Sequence, residues 1–218
     1  MSAQSVIDLT PKKALVFRIT HISNVAWILD HGLHCASSEV RDPDFRTIGD
    51  PDLIAKRAAH VVPAPPGGTI SDYVAFYFTP CSPMLFNIKT GHREIEKIPM
   101  RDIAILVSSL PTLDACGVKY LFTDCHAYLA DAQYFSDLAE LQRIDWQILR
   151  GRDFAYSPED PGKMQRYQAE VLAHDHVPVC ALRAIVCCSQ AECGTINTEI
   201  ERRGLHLKVI ARPGWFFA

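Results

Sequence analysis

The chain has 218 residues, of which 48% are hydrophobic and 22% charged, and this composition supports a full hydrophobic core. The formal net charge of −3 excludes a protein that coats nucleic acid by bulk positive charge, although a local nucleotide or single-strand site stays possible. No apolar run is long enough to span a membrane, and the first residues lack the order of a signal peptide. We therefore expect a soluble cytoplasmic protein that forms a single domain over residues 1–218.

The first half of the chain predicts alternating strands and helices. Residues 14–20 (ALVFRIT) have the composition of a strand, and residues 23–32 (SNVAWILDHG) have a capping serine and a closing glycine that are typical of a helix. A second helix is predicted at 50–60, with Asp50 as the N-cap and Pro51 in the first turn. Further strands are predicted after the proline- and glycine-rich turn at 62–72, in the apolar runs 74–80, 103–109 and 120–124.

The second half continues this pattern. Apolar residues at helical spacing predict a helix from about 131 to 149, and a polar loop follows at 151–163. A β-like run at 168–174, an amphipathic helix at 195–204 and a last strand after Gly204 complete the chain. No internal repeat is present, so the order of elements predicts an α+β domain with a central sheet.

The stretch QAEVLAHDH at 168–176 contains the most unusual charged residue. Glu170 lies in an apolar run, where a carboxylate is rarely buried without a partner, and an edge strand with a solvent-facing side is the alternative. His174 and His176 alternate along the predicted strand and would face one side, but the sequence offers no further ligands beside them. We therefore expect no metal site. The eight scattered cysteines form no C-x-x-C pair, so we expect reduced, mostly buried thiols.

Four segments in fixed order carry a resemblance to a known family. They are FRITHISNVAWIL (17–29), IGDPDLIAKRAAHVVPAPPGGTISDYVAFYFTPCSPMLF (48–86), YLFTDCHAYL (120–129) and QRYQAEVL (165–172). Together they resemble the DarT family, the DNA ADP-ribosyltransferase toxins of bacterial toxin-antitoxin systems. The resemblance extends from about Phe17 to Trp215 and is most specific in the block at 62–85.

The resemblance implies a fold and an activity. It implies the ADP-ribosyltransferase fold, a split antiparallel β-sandwich with flanking helices and a cleft for NAD. The implied activity is transfer of ADP-ribose from NAD, which is the substrate, to a base of single-stranded DNA, most simply thymidine, without a metal. The implied partners are single-stranded DNA and a DarG-like macrodomain antitoxin, and we expect a monomer that has no membrane contact.

The resemblance also assigns roles to individual residues. Arg57 and Glu170 fall on the catalytic positions. The residues implied for NAD binding are Arg18, Ile19, Thr20, Trp27, Cys35 and Arg57, and Arg18 stands where the family usually has a histidine. The region from about Arg41 to Ala59 corresponds to the element that covers NAD. The residues implied for the DNA-presenting loop are His126, Arg152, Tyr156, Arg166 and Tyr167.

The implied chemistry leaves one role open. A carboxylate at position 170 would stabilise the oxocarbenium-like transition state that forms when nicotinamide leaves. A guanidinium takes up a proton poorly because its pKa exceeds about 12, so Glu170, a water molecule or His126 are alternative proton acceptors to Arg57. The alternative functions are protein ADP-ribosylation, NAD hydrolysis, modification of guanosine, or a catalytically silent nucleic-acid-binding module.

Overall fold

The computed structural model describes residues 7–217, which form ten strands and seven α-helices. The strands are β1 (Leu15–His21), β2 (Leu33–His34), β3 (Tyr73–Tyr77), β4 (Ile103–Ser109), β5 (Tyr120–Thr123), β6 (Tyr134–Phe135), β7 (Glu170–His174), β8 (His176–Val177), β9 (Ala184–Cys187) and β10 (Lys208–Ala211). The α-helices are α1 (Val25–His31), α2 (Pro51–Ala58), α3 (Pro83–Thr90), α4 (Leu110–Ala115), α5 (Trp146–Gly151), α6 (Lys163–Arg166) and α7 (Gln190–Arg202). Short 3-10 helices lie at Ile22–Asn24, Ile70–Asp72, His92–Glu94, Met100–Asp102, Leu138–Arg143, Val179–Ala181 and Pro213–Trp215.

Eight of the strands form one sheet in the order β10-β9-β4-β1-β3-β7-β5-β6, and β2 pairs with β8 in a separate small sheet. All neighbouring pairs in the large sheet are antiparallel except β9 and β10, which are parallel. The connection between β9 and β10 is helix α7, as expected for a parallel crossover. The α+β fold class predicted from the sequence is thereby confirmed, with one parallel pair in an otherwise antiparallel sheet.

The large sheet is split between β1 and β3. Strand β1 pairs with β4 along seven residues, but it pairs with β3 only at Phe17 and Tyr77. Beyond that point the two strands diverge, and the Arg18 side chain crosses the gap to donate a hydrogen bond to the Ala75 carbonyl at 2.8 Å. Because the strands separate here, a cavity opens between the two halves of the sheet.

The core explains why these segments form strands. All seven residues of β4 are buried, as are four of the five residues of β7. Both are interior strands of the sheet, which explains why their sequences are largely apolar. Aromatic rings fill the space under β3 and β5, with Phe78 in edge contact with Phe122 and Trp146. The core therefore continues across both halves of the split sheet.

Most of the elements predicted from the sequence are present. The strand predicted at 103–109 has those bounds, and Asp50 caps α2 by accepting a hydrogen bond from the Leu53 amide at 3.0 Å. Helix α7 begins earlier than predicted, at Gln190, because Ser189 and Glu192 form a capping box.

The helix predicted from about 131 to 149 is wrong. This segment contains β6, a 3-10 helix and the start of α5. Two aspartates interrupt the helical pattern, since Asp137 accepts a hydrogen bond from the Ala139 amide and Asp145 accepts one from the Ile148 amide. A side chain that caps a new helical turn competes with continuation of the previous one, and Ile144 between them is extended.

Candidate active site

The cavity in the split of the sheet has a volume of about 470 Å³. Its walls come from β1, α1 and β2, from the irregular loop before α2 and α2 itself, and from β3 and β7. The residues of the NAD-binding set implied by the resemblance all line it, and these are Arg18, Ile19, Thr20, Trp27, Cys35 and Arg57. His126 and Glu170 lie on the same wall as Arg57.

Glu170 is buried at the first position of β7. Strand β7 lies between β3 and β5, so Glu170 is on an interior strand and only 1% of its surface is exposed. The edge-strand alternative is therefore wrong. Its carboxylate accepts two hydrogen bonds from Arg57, at 2.8 Å from Nη1 and at 2.6 Å from Nη2, and a third from the Ala127 amide at 3.2 Å. The charge is thus both paired and hydrogen-bonded, as burial requires.

Arg57 reaches Glu170 from helix α2, 113 residues earlier in the chain. The helix itself buries none of its residues, but the Arg57 side chain is only 14% exposed because it points into the cavity. The solvent-facing alternative for Arg57 is therefore wrong. The fork of the guanidinium matches the two carboxylate oxygens, which a lysine at this position would not do.

His126 completes this group of ionisable residues. Its Nε2 atom is 3.2 Å from Arg57 Nη1 and 3.7 Å from the nearer Glu170 oxygen. The Tyr128 amide lies 3.3 Å from Nδ1, so both ring nitrogens face donors, and the neutral ring can accept from only one of them. Burial and the Arg57 charge hold the pKa of His126 below its ordinary value, although Glu170 opposes them. His126 is therefore neutral near pH 7.

The pKa shifts within the pair follow from the competition between burial and charge. Burial by itself would raise the pKa of Glu170, but the Arg57 charge, His126 and the hydrogen bonds outweigh it, and the pKa is lowered. Burial disfavours the Arg57 charge, but the Glu170 carboxylate outweighs it, and the pKa of Arg57 is raised. Both groups are therefore ionised at neutral pH.

Arg18 and Tyr77 add two polar groups that have no charged partner in the described part of the chain. Burial lowers the pKa of Arg18 to about 10, and its Nε atom is buried without a hydrogen-bond partner. Burial, followed by the Glu170 charge, raises the pKa of Tyr77 to about 12, so this phenol stays protonated. The cavity lining includes four arginines and two carboxylates, an excess of positive charge that favours an anionic ligand, and these residues are Arg18, Arg41, Arg46, Arg57, Asp42 and Glu170.

Two further side chains connect the NAD-binding residues to the rest of the fold. Trp27 stacks on His31 and lies edge-on to His34, and His34 in turn stacks on His176 at 4.3 Å between ring centroids. Cys35 is buried, and its amide donates to the Asp175 carbonyl at 2.8 Å. The contacts of Trp27 and Cys35 therefore fix the cavity wall next to the small sheet formed by β2 and β8.

The residues predicted for the DNA-presenting loop do not form one group. Tyr156 is 75% exposed, and Arg152 lies near the C-terminal segment, where it contacts the Gly214 carbonyl at 3.4 Å. Arg166 forms ion pairs with Asp145 and Asp160. Tyr167 is fully buried, and its hydroxyl donates to the Cys81 carbonyl at 3.0 Å. Because Tyr167 is buried in the core, its side chain has no surface to offer to a DNA base.

The histidines near Glu170 belong to two different sheets. Asp175 between them has φ of 62°, which turns the chain, so that His174 ends β7 and packs on Tyr73 while His176 stacks on His34. Within residues 7–217, no group of three or more His, Cys, Asp or Glu side chains has a geometry for a metal ion. All eight cysteines are free thiols, and five of them are buried.

Sequence reasoning missed Tyr77, which lines the cavity, and Asn24, which donates a hydrogen bond to the lining residue Thr20. Tyr77 follows Ala75 by two positions in β3, so both face the cavity, and this alternation was visible in the block DYVAFYF. Asn24 stands before α1, where its type predicts only a helix cap.

Comparison with known proteins shows the family to which the chain belongs. The sequence profile of the family described as "ssDNA thymidine ADP-ribosyltransferase, DarT" matches residues 17–217. The chain belongs to the DarT family. A DNA ADP-ribosyl transferase of Escherichia coli O127:H6 is 47% identical over 211 residues, which are 97% of each chain.

Two solved structures of a DarT from Thermus sp. 2.9 share the fold. The complex with ADP-ribosylated single-stranded DNA has a TM-score of 0.86 at 31% identity and covers 94% of this chain and 97% of that one. The complex with NAD+ has a TM-score of 0.81 at 31% identity and covers 94% and 98%. A transferase-glycohydrolase fusion protein of Thermosipho africanus is 24% identical over 208 residues, which are 95% of this chain and 50% of the fusion. In the described part of this DarT, no helix is long and apolar enough to cross a membrane.

Proposed function

We propose that this DarT transfers ADP-ribose from NAD to a thymidine base of single-stranded DNA, with Arg57 and Glu170 as its catalytic residues. The observation that carries the proposal is the buried Arg57–Glu170 ion pair on the wall of the cavity. The family profile and the Thermus complexes with NAD+ and with ADP-ribosylated DNA support the same reaction.

Glu170 assists the cleavage of the bond between ribose and nicotinamide. When the glycosidic bond between ribose and nicotinamide breaks, its electron pair leaves with the ring nitrogen, and positive charge develops on the ribose. The Glu170 carboxylate is ionised and fixed by Arg57 and the Ala127 amide, so it needs no reorganisation to stabilise that charge. Arg57 keeps the carboxylate oriented and, together with Arg18, offers positive charge to the phosphates of NAD.

The new bond forms between the ribose carbon and a base nitrogen, which must lose a proton when thymine N3 is the acceptor. Arg57 is unsuited to take this proton because pairing raises its pKa, and Glu170 is a weak base because pairing lowers its pKa. We propose His126 as the proton acceptor. Its Nε2 atom lies 3.2 Å from Arg57 Nη1, which also donates to Glu170 at 2.8 Å, so an incoming base can replace the contact between Arg57 and the histidine.

The target base must be unpaired, because the Watson–Crick edge of thymine is inaccessible in a duplex. We propose that Tyr156 and Arg152 lie on the DNA side, since one is exposed and the other has only a long contact to a carbonyl. Arg166 serves as a support for this loop, because its charge is already paired with two aspartates. Binding of DNA should weaken with salt.

We further propose the cellular context of the reaction. The enzyme acts as a monomeric single domain in the cytoplasm, where single-stranded DNA forms during replication. Its partner is a DarG-like antitoxin that removes the modification, as suggested by the natural fusion of a transferase with a DNA ADP-ribosyl glycohydrolase.

The proposal is tested by incubating the protein with labelled NAD and single-stranded oligonucleotides that differ in one base. Label is expected on strands that contain thymidine, and Glu170→Gln is expected to reduce the rate by about two to three orders of magnitude, as for loss of other electrostatic groups in active sites. Glu159→Gln in the nearby polar loop is the matched control and keeps the wild-type rate. Label on protein, on guanosine-only strands, or release of free ADP-ribose alone would replace the proposal by one of the alternatives.

A further inference from the structure

One wall of the cavity is an irregular loop with little support. Residues 39–49, here called the cavity loop, contain no helix or strand, and most of them are exposed. Val40 and Phe45 line the cavity although they are 48% and 39% exposed. Such a segment is costly to order when a ligand binds, unless another group holds it in place beforehand.

Asn24 is that group. It is 1% exposed, and its side-chain amide makes two hydrogen bonds to the backbone of Arg46, as a neighbouring strand would. The Oδ1 atom accepts from the Arg46 amide at 2.9 Å, and Nδ2 donates to the Arg46 carbonyl at 2.9 Å. The residues next to Arg46 in the chain, Phe45 and Thr47, both line the cavity.

The same side chain also reaches the opposite wall. The second N–H of Nδ2 donates to Thr20 Oγ1 at 3.1 Å, and Thr20 lies at the end of β1 in the set implied for NAD binding. Both N–H groups of Asn24 and its carbonyl oxygen are therefore engaged. Although Asn24 is the N-cap residue of α1, its side chain makes no capping bond to that helix. The hydrogen bonds of the Asn24 side chain therefore join two walls of the cavity and do not stabilise the start of the helix.

Other connections of the cavity loop are weak. Among residues 7–217, the other side-chain hydrogen bond that joins residues 39–49 to a distant segment is the ion pair of Arg46 with Glu96 at 2.9 Å. The side chains of this pair are 47% and 66% exposed, and exposed ion pairs contribute little to stability. Ile48 near the end of the loop packs against the core, so the hydrogen bonds of Asn24 are the main support for the part of the loop around Arg46.

We infer that Asn24 is a positioning residue for the NAD site, which fixes the cavity loop against β1 before the ligand arrives. The inference rests on the proposed function for the identity of the ligand, and the anchoring itself rests on the hydrogen bonds alone. Without Asn24, binding of NAD would have to order the loop, so affinity falls. The chemical step uses Glu170, Arg57 and His126, none of which contacts Asn24, so the rate at saturating NAD is preserved.

The experiment compares wild-type protein with Asn24→Ala, Asn24→Asp and Glu96→Ala. The aspartate keeps an acceptor for the Arg46 amide but turns an oxygen towards the Arg46 carbonyl, and Glu96→Ala removes only the exposed ion pair. The measurements are the Kd for NAD by calorimetry, KM and kcat with a thymidine oligonucleotide, and the rate of tryptic cleavage after Arg41 and Arg46.

For Asn24→Ala we expect Kd and KM for NAD to rise about tenfold, kcat to stay within about twofold, and cleavage in the cavity loop to accelerate. Saturating NAD should slow that cleavage again. Asn24→Asp should fall between alanine and wild type, and Glu96→Ala should behave like wild type.

Unchanged KM and unchanged loop cleavage in Asn24→Ala would overturn the inference. A fall of kcat in proportion to lost folded protein would do the same, since it would show a purely structural role. If the wild-type protein itself does not bind NAD, the proposed function fails and the ligand named here fails with it. Faster cleavage in Asn24→Ala would then still show that the residue anchors the loop.

Discussion

At the scale of single residues, the site depends on the balance between buried positive and negative side chains in the cavity. Glu170 is tolerated in an apolar strand because Arg57 and the Ala127 amide satisfy it. Arg18 is the opposite case, since it has a buried Nε atom without a partner and a pKa lowered to about 10. The cavity therefore has excess positive charge, which an anionic pyrophosphate would neutralise.

The pH dependence of the reaction tests the role of His126. The pKa of His126 is lowered by burial, so the neutral ring that can accept a proton persists at pH 7 and is lost as the pH falls through that lowered value. We expect kcat/KM for DNA to be level near neutrality and to fall only below pH 6.5, the ordinary pKa of histidine. His126→Gln should lower the rate by about two orders of magnitude and remove this acid limb. If the acid limb persists in His126→Gln, another group accepts the proton from the base.

At the scale of elements, helix α2 shows how a weakly packed segment can present a catalytic side chain. It spans eight residues and buries none of them, so the hydrophobic core does not hold it. Three polar contacts do so, namely the Asp50 cap at its N-terminus, the ion pair of Arg57 with Glu170, and a hydrogen bond that the Ser71 hydroxyl donates to the Ala58 carbonyl at 3.0 Å. The cap therefore matters more for this helix than it would for one that packs on the core.

Loss of the cap should loosen α2 and weaken the site. Asp50→Ala is expected to destabilise the helix by about 1 kcal/mol, with faster hydrogen exchange in residues 51–58 and lower kcat/KM. Asp50→Asn is the control, because asparagine caps as well as aspartate does and should restore the wild-type exchange rate. Equal exchange rates in all three proteins would show that the cap is not needed to hold the helix.

At the scale of the whole molecule, the fold combines a continuous hydrophobic core with a sheet that opens between β1 and β3. The same sheet that buries β4 and β7 opens between β1 and β3, and the catalytic residues line that opening. One large cluster of buried residues extends under both halves of the sheet, which supports our proposal of a single domain. The core beneath the site thus holds the two halves of the sheet in position relative to each other.

Removal of a core ring under the site should reduce global stability. Phe122 on β5 is fully buried against Phe78 and Phe135, and Phe122→Ala is expected to lower the free energy of unfolding by about 3–5 kcal/mol. Phe86→Ala is the control, since Phe86 is 37% exposed and should lose much less. Denaturant unfolding measures both, and equal losses would contradict the assignment of the core.

The sequence by itself determined the fold class, most of the strands and, through the resemblance, the family. Local patterns are sufficient for this, because alternation, caps and turn residues act within a few positions. They failed at 131–149, where Asp137 and Asp145 start new turns inside a helical pattern. The order of the motifs identified Glu170 and Arg57, but their own neighbours in sequence left each of them ambiguous.

Only the tertiary structure decided that Glu170 is interior, that Arg57 pairs with it, that Tyr167 is buried and that Asn24 holds the cavity loop. The physical reason is the same in each case. A charged or polar side chain is stable in the interior only with a partner, and these partners lie between 22 and 113 positions away in the chain. The sequence fixes which groups need partners, and the fold decides which of them meet.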